Sequence, residues 1–72
     1  MQIISQNGNR QVEFNGTLHT SPMYTEGSIS AINLLHEGTG IGRFSSVAEA
    51  ISEIEKISSC REEVYRVSSL PQ

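Results

Sequence analysis

The chain contains no aspartate; all eight of its acidic residues are glutamate. It also has no Gly-x-Ser-x-Gly elbow, so the parts of a usual Ser-His-Asp hydrolase are missing. A single cysteine, Cys60, excludes an intrachain disulfide and suits a reducing compartment. Positive charge is sparse: Arg10, Arg43, Lys56, Arg61 and Arg66 are scattered and form no basic stripe, which disfavours a nucleic-acid surface. The net charge of −3 is too small for mimicry of a phosphate backbone and reads as a solubility feature. No apolar run approaches the ~18 residues of a membrane span. The opening, Met1 to Ser5, lacks the positive region and the length of a signal peptide. The expectation is a soluble cytoplasmic protein with no membrane contact, cofactor or metal.

What remains is small. At 72 residues the chain fits one domain, 1–72, with a limited core. Chains of this size often lean on disulfides, a metal or a partner chain. With the first two absent, self-association into a homo-oligomer is expected.

Local signals give an element order. Gln2 to Ser5 is a short β-prone run that stops at Asn7-Gly8, the strongest short-range hairpin signal. From Arg10 to Phe14 polar and apolar residues alternate, with Val12 and Phe14 facing one way, as in a half-buried strand. Asn15-Gly16 is a second turn. Between Thr17 and Gly27 the Ser21-Pro22 step interrupts regular structure, so a loop or a short edge strand is expected there. Ser28 to His36 is the most apolar run of the first half. Its alternation breaks at Ile32, Leu34 and Leu35, which suggests a central strand with a bulge or a strand covered on both faces. Glu37 to Gly40 reads as a turn and Ile41 to Phe44 as the hairpin partner.

Ser46-Val47-Ala48-Glu49 fits a capping box that opens a helix over 46–58. Val47, Ala50, Ile51, Ile54 and Ile57 recur at spacings of three and four, a stripe that should cover a sheet, with Glu53 among the outward residues. Replacing Ile51 or Ile54 by Asp is then expected to unfold the chain. Val64, Tyr65 and Val67 favour a last strand over 63–67, against the alternative of a continued helix, and Pro71 ends regular structure. The fold class is α+β: an antiparallel sheet of β-hairpins with one helix on one face, in the order β-β-(β)-β-β-α-β.

The residues Met1-Gln2-Ile3-Ile4-Ser5-Gln6-Asn7-Gly8 resemble the M-x-I-I-S-Q-(D/N)-G opening of small uncharacterised proteins from phages and prophages of Gram-positive bacteria. Ile41-Gly42-Arg43-Phe44-Ser45-Ser46 is similar to their LGxYxS step into an E-A-rich helix. Glu63 to Val67, followed by Leu70-Pro71, is similar to their terminal VYxMP strand. The likeness covers both ends and the helix and stops at Thr17 to Gly27. It transfers no catalytic residue. It implies a phage accessory protein in the cytoplasm of an infected host, such as one that blocks a defence component.

The candidate chemistry is thin. Gly38-Thr39-Gly40-Ile41-Gly42 is glycine-rich, but the last glycine of a dinucleotide fingerprint and the lysine of a P-loop are missing. A hairpin turn is the first reading; a ligand loop using Gly40, Gly42 and Arg43 is the alternative. His19 and His36 lie too far apart for a metal pair on one element. Cys60 follows a helix C-terminus, whose dipole disfavours a thiolate, so burial as a small apolar residue is expected. Met23 and Tyr24 sit in a polar stretch as residues of the kind that anchor interfaces, with folding back onto the core as the equal alternative. Together these point to a non-enzymatic binding protein that inhibits a host or phage protein by sequestration or occlusion. The alternative is a homo-oligomeric sponge for a nucleotide-type signalling molecule held at subunit interfaces.

Overall fold

The computed structural model describes residues 1–68; Leu70 and the stop at Pro71 lie outside them. The elements are β1 (Gln2–Ile4), β2 (Gln11–Glu13), β3 (Leu18–Thr25), β4 (Ser28–His36), β5 (Thr39–Phe44), α1 (Val47–Ser59) and β6 (Val64–Arg66). The class is α+β, built from hairpins and one helix, as the sequence predicts.

The strands form two three-stranded sheets, ordered β2-β1-β6 and β3-β4-β5. The first begins as the Asn7-Gly8 hairpin. Gly8 adopts φ +78, which a side chain would strain. Asn7 Oδ1 accepts from the Ser5 hydroxyl at 2.7 Å and from the Asn9 amide at 2.9 Å, so the turn is held from inside. β6 then adds to the free side of β1 in parallel, Ile3 opposite Tyr65. A parallel partner needs a long crossover, and the chain between them includes α1. The ladder is closed at its ends by Gln2 N–H to the Glu63 carbonyl, 2.8 Å, and Val67 N–H to the Ile4 carbonyl, 3.0 Å.

The second sheet is antiparallel throughout. Thr17 to Gly27, expected as a loop or a short edge strand, is an eight-residue edge strand, β3, paired with β4 from Leu18 to Thr25. Pro22 is accommodated because an edge strand has only one side committed to a ladder. The β3–β4 turn is Glu26-Gly27, both residues at positive φ (52 and 82), and Glu37-Gly38 repeats that geometry (50 and 83) between β4 and β5. Such turns match the twist of a hairpin. The irregularity anticipated in Ser28–His36 is present: the β3–β4 register shifts at Met23/Tyr24, and the β4–β5 register shifts at Leu34/Leu35.

The core joins both sheets and the helix through Ile3, Ile32, Leu34, Ile41, Phe44, Ala50, Ile57 and Val67. The helix begins as its capping box predicts, with the Glu49 amide donating to Ser46 Oγ at 3.2 Å. The Glu49 carboxylate does not return to the Ser46 amide; it accepts from the Ser45 hydroxyl at 2.6 Å.

The stripe itself is turned relative to the sequence expectation. At about 100° per residue, Ala50, Glu53, Ile54 and Ile57 share one arc. Ala50, Glu53 and Ile57 are buried and Ile54 packs against the core, while Val47 and Ile51 remain 50% and 47% exposed. Val47 and Ile51 therefore stand outside the core, and the expectation that Ile51→Asp unfolds the chain is corrected. The reason is Glu53, an outward residue by periodicity that is only 2% exposed. Its carboxylate is the acceptor for groups of the C-terminal segment, and the helix turns to deliver it.

Candidate functional site

Ser5 to Arg10 connects β1 to β2, and within it Gln6 reaches the outer edge of β5. The Gln6 amide donates to the Ile41 carbonyl at 2.8 Å. Its side chain then acts as a short strand partner: Nε2 donates to the Arg43 carbonyl at 3.0 Å and Oε1 accepts from the Arg43 amide at 3.0 Å. Nε2 also donates to the Ser68 carbonyl at 2.8 Å. Gln6 thus caps the free edge of one sheet with the turn of the other.

Beside this junction lies an open cleft of about 450 Å³, lined by the turn, by Asn33 of β4 and by β5 from Gly40 to Arg43. Arg10 and Arg43 both line it, and no glutamate does among the described residues. The ion pair found among those residues is elsewhere, between the Met1 amino group and Glu13 at 3.3 Å. Asn33 Oδ1 accepts from Arg43 Nε at 3.4 Å, and Asn7 Oδ1 is taken by Ser5 and Asn9. The Ser5 hydroxyl is itself occupied as an acceptor by the Arg10 amide at 3.0 Å. The two asparagine amide nitrogens and the two guanidinium groups are left as donors.

The cleft gathers Gly40 and Arg43 of the predicted set. Gly42 also lines it, but its missing side chain serves packing. A Cβ there would stand 3.0 Å from Val67 Cγ1 and 3.2 Å from Phe44 Cε2, so glycine lets the segment after β6 close on β5. Met23 and Tyr24 are not part of the cleft. They belong to β3 near the far turn, Met23 half-buried and Tyr24 62% exposed. Gln6, Asn7, Arg10 and Asn33 were not singled out from sequence. Asn33 interrupts the apolar stretch from Ala31 to Leu35 within β4, and that interruption is the available signal, because a polar residue there needs a reason.

The histidines, the cysteine and the buried glutamate lie outside the cleft. His36 is buried at the end of β4, and its Nε2 accepts from the Asn15 amide at 3.1 Å. His19 is exposed. Cys60 is half-buried and forms the helix C-cap, its amide donating to the Ile57 carbonyl at 3.2 Å. Glu53 Oε2 accepts from the Tyr65 hydroxyl at 2.6 Å and from the Ser68 amide at 3.0 Å. Burial first, then the bond to Glu53 and its charge, push the Tyr65 hydroxyl up to about 12. No helix of the described residues is long and apolar enough to cross a membrane. No family model, curated protein or solved structure matches the chain.

Proposed function

We propose that the chain is a non-enzymatic binding protein that occludes a protein partner, in the setting of a phage accessory protein acting on a host component, with the β3–β4 hairpin as its contact surface. One observation carries this reading. Every residue from Tyr24 to Ser30 is exposed, so the hairpin end extends beyond the core as an arm. On it Tyr24 and Ile29 are register partners, 62% and 57% exposed, which places an aromatic and a branched apolar side chain together on one face in solvent. Cross-strand neighbours of this kind make a compact apolar contact, and tyrosine is enriched where interfaces concentrate their energy. The arm is also pinned. Ser30 Oγ donates to the Met23 carbonyl at 3.2 Å and accepts from the Thr25 hydroxyl at 3.0 Å across the bulge. A pre-set arm loses less freedom on binding than a loose loop. The resemblance to phage proteins supplies the setting.

The test is affinity capture from a Gram-positive host lysate with the wild-type chain and with a Y24A/I29S double variant. A stoichiometric partner held by the wild type and released by the variant, with circular dichroism unchanged, is the expected result. Recovery of no partner by the wild type, or equal recovery by both, would overturn the proposal.

A further inference from the structure

We infer that the cleft between the β1–β2 turn and β5 binds a phosphate group. The inference is independent of the arm, because no residue of the arm lines the cleft.

The first ground is charge. Eight glutamates outnumber five basic residues in this chain, yet two of its arginines, Arg10 and Arg43, line one cleft that no glutamate enters among the described residues. Two arginines with no carboxylate beside them give the cleft a local positive charge that favours an anion.

The second ground is hydrogen-bond capacity. The side-chain oxygens of Ser5, Gln6, Asn7 and Asn33 already accept bonds within the protein. Both polar atoms of the Gln6 amide are spent on Arg43 and Ser68. Arg10 and Arg43 offer only N–H, Asn7 offers its amide N–H with both lone pairs of its oxygen taken, and Asn33 offers its amide N–H beside one lone pair left on Oδ1. A cleft of donors selects a ligand of acceptors. A phosphate presents three terminal oxygens and accepts from arginine in bidentate fashion, with strong charge-assisted bonds.

The third ground is size and preparation. About 450 Å³ falls within the range of small-molecule sites and exceeds what a bare anion fills. The walls are fixed before any ligand arrives, by the bonds inside the Asn7 turn and by Gln6 on the β5 backbone. The glycine-rich segment therefore contributes as a strand edge and not as a phosphate-cradling loop. The donors named here all come from one chain.

The test is an NMR titration of amide resonances in the full chain, using sodium phosphate, adenosine monophosphate, and sodium chloride and acetate at matched ionic strength. Saturable shifts centred on Asn7, Asn33, Gly40 and Arg43 with the phosphate probes alone are expected. Tighter binding of the nucleotide identifies an organic phosphate, and equal binding identifies the free anion. R10Q and R43Q should each weaken binding about tenfold or more, equal to ~1.4 kcal/mol. Both variants keep the fold, because the bonds of residue 43 to Gln6 and the bond from residue 10 to Ser5 use the backbone. Absence of saturable shifts, equal shifts with chloride or acetate, or binding indifferent to both substitutions would overturn the inference.

Discussion

Replacing Tyr65 by Phe removes one hydroxyl and should expose how far this small fold depends on Glu53. The Glu53 carboxylate is 2% exposed and has two donors within the protein, the Tyr65 hydroxyl at 2.6 Å and the Ser68 amide at 3.0 Å. A hydrogen bond to a charged group contributes about 1.5–3 kcal/mol, and in Y65F the Ser68 amide remains as the donor to Glu53. The expected loss for Y65F is therefore about 2 kcal/mol, against a total near 4–11 kcal/mol for a chain of this length. Urea unfolding at neutral pH measures it, and the melting temperature should fall by about 10 °C. A cycle with E53Q separates the pair from its surroundings; the two substitutions should couple, so that the second costs less once the first is made. The same contact has an alkaline signature. Tyr65 is raised from 10.0 to about 12, so the folded state holds this proton more tightly than the unfolded state does. Its contribution is fully present below pH 10 and is lost as the pH rises from there through about 12. Y65F should lack that portion of the alkaline decline. A Y65F cost below about 0.5 kcal/mol, the level of ordinary surface substitutions, together with zero coupling to E53Q, would refute the reasoning.

Two further outcomes test the packing. I51D should keep its helical circular dichroism with little change in stability, because Ile51 is 47% exposed, whereas I57D should unfold the chain, because Ile57 is fully buried in the core. G42A should lower stability by about 1–3 kcal/mol through overpacking against Val67 and Phe44; G40A, whose new methyl would sit at an ordinary 3.8 Å from Leu35, should not, and thermal melts of the two compare them directly.

The outward side of α1 follows from the same contact. Periodicity reports that a helix is amphipathic to within a few tens of degrees, but Val47 and Ile51 sit beside the true buried arc. A charged residue at position 53 gave no hint that two donors were waiting for it inside. The tyrosine that supplies one of them lies twelve residues away, on a strand that pairs with the first strand of the chain.

Elements whose cause is local were legible from the residues alone. Asn7-Gly8 carries its own turn, with the asparagine side chain bonding the backbone two residues on. Ser46 caps the helix through an amide three residues away. Alternation from Gln11 to Phe14 and the broken alternation within Ser28–His36 mark a half-buried strand and a bulged one. Each of these needs only neighbours along the chain.

What the tertiary structure decided depends on groups far apart in sequence. β3 carries a proline and few apolar residues, and it is extended because β4 offers it a partner along its whole length. β6 lies parallel to β1 because the helix carries the chain back across. The donor-lined cleft exists only where Gln6 brings the first turn against β5, so that Asn7, Arg10, Asn33 and Arg43 share one space. Along the chain the arginines are scattered and form no basic stripe. Folding set two of them in one cleft, because backbone and side-chain bonds of a single glutamine hold one hairpin against the edge of another sheet.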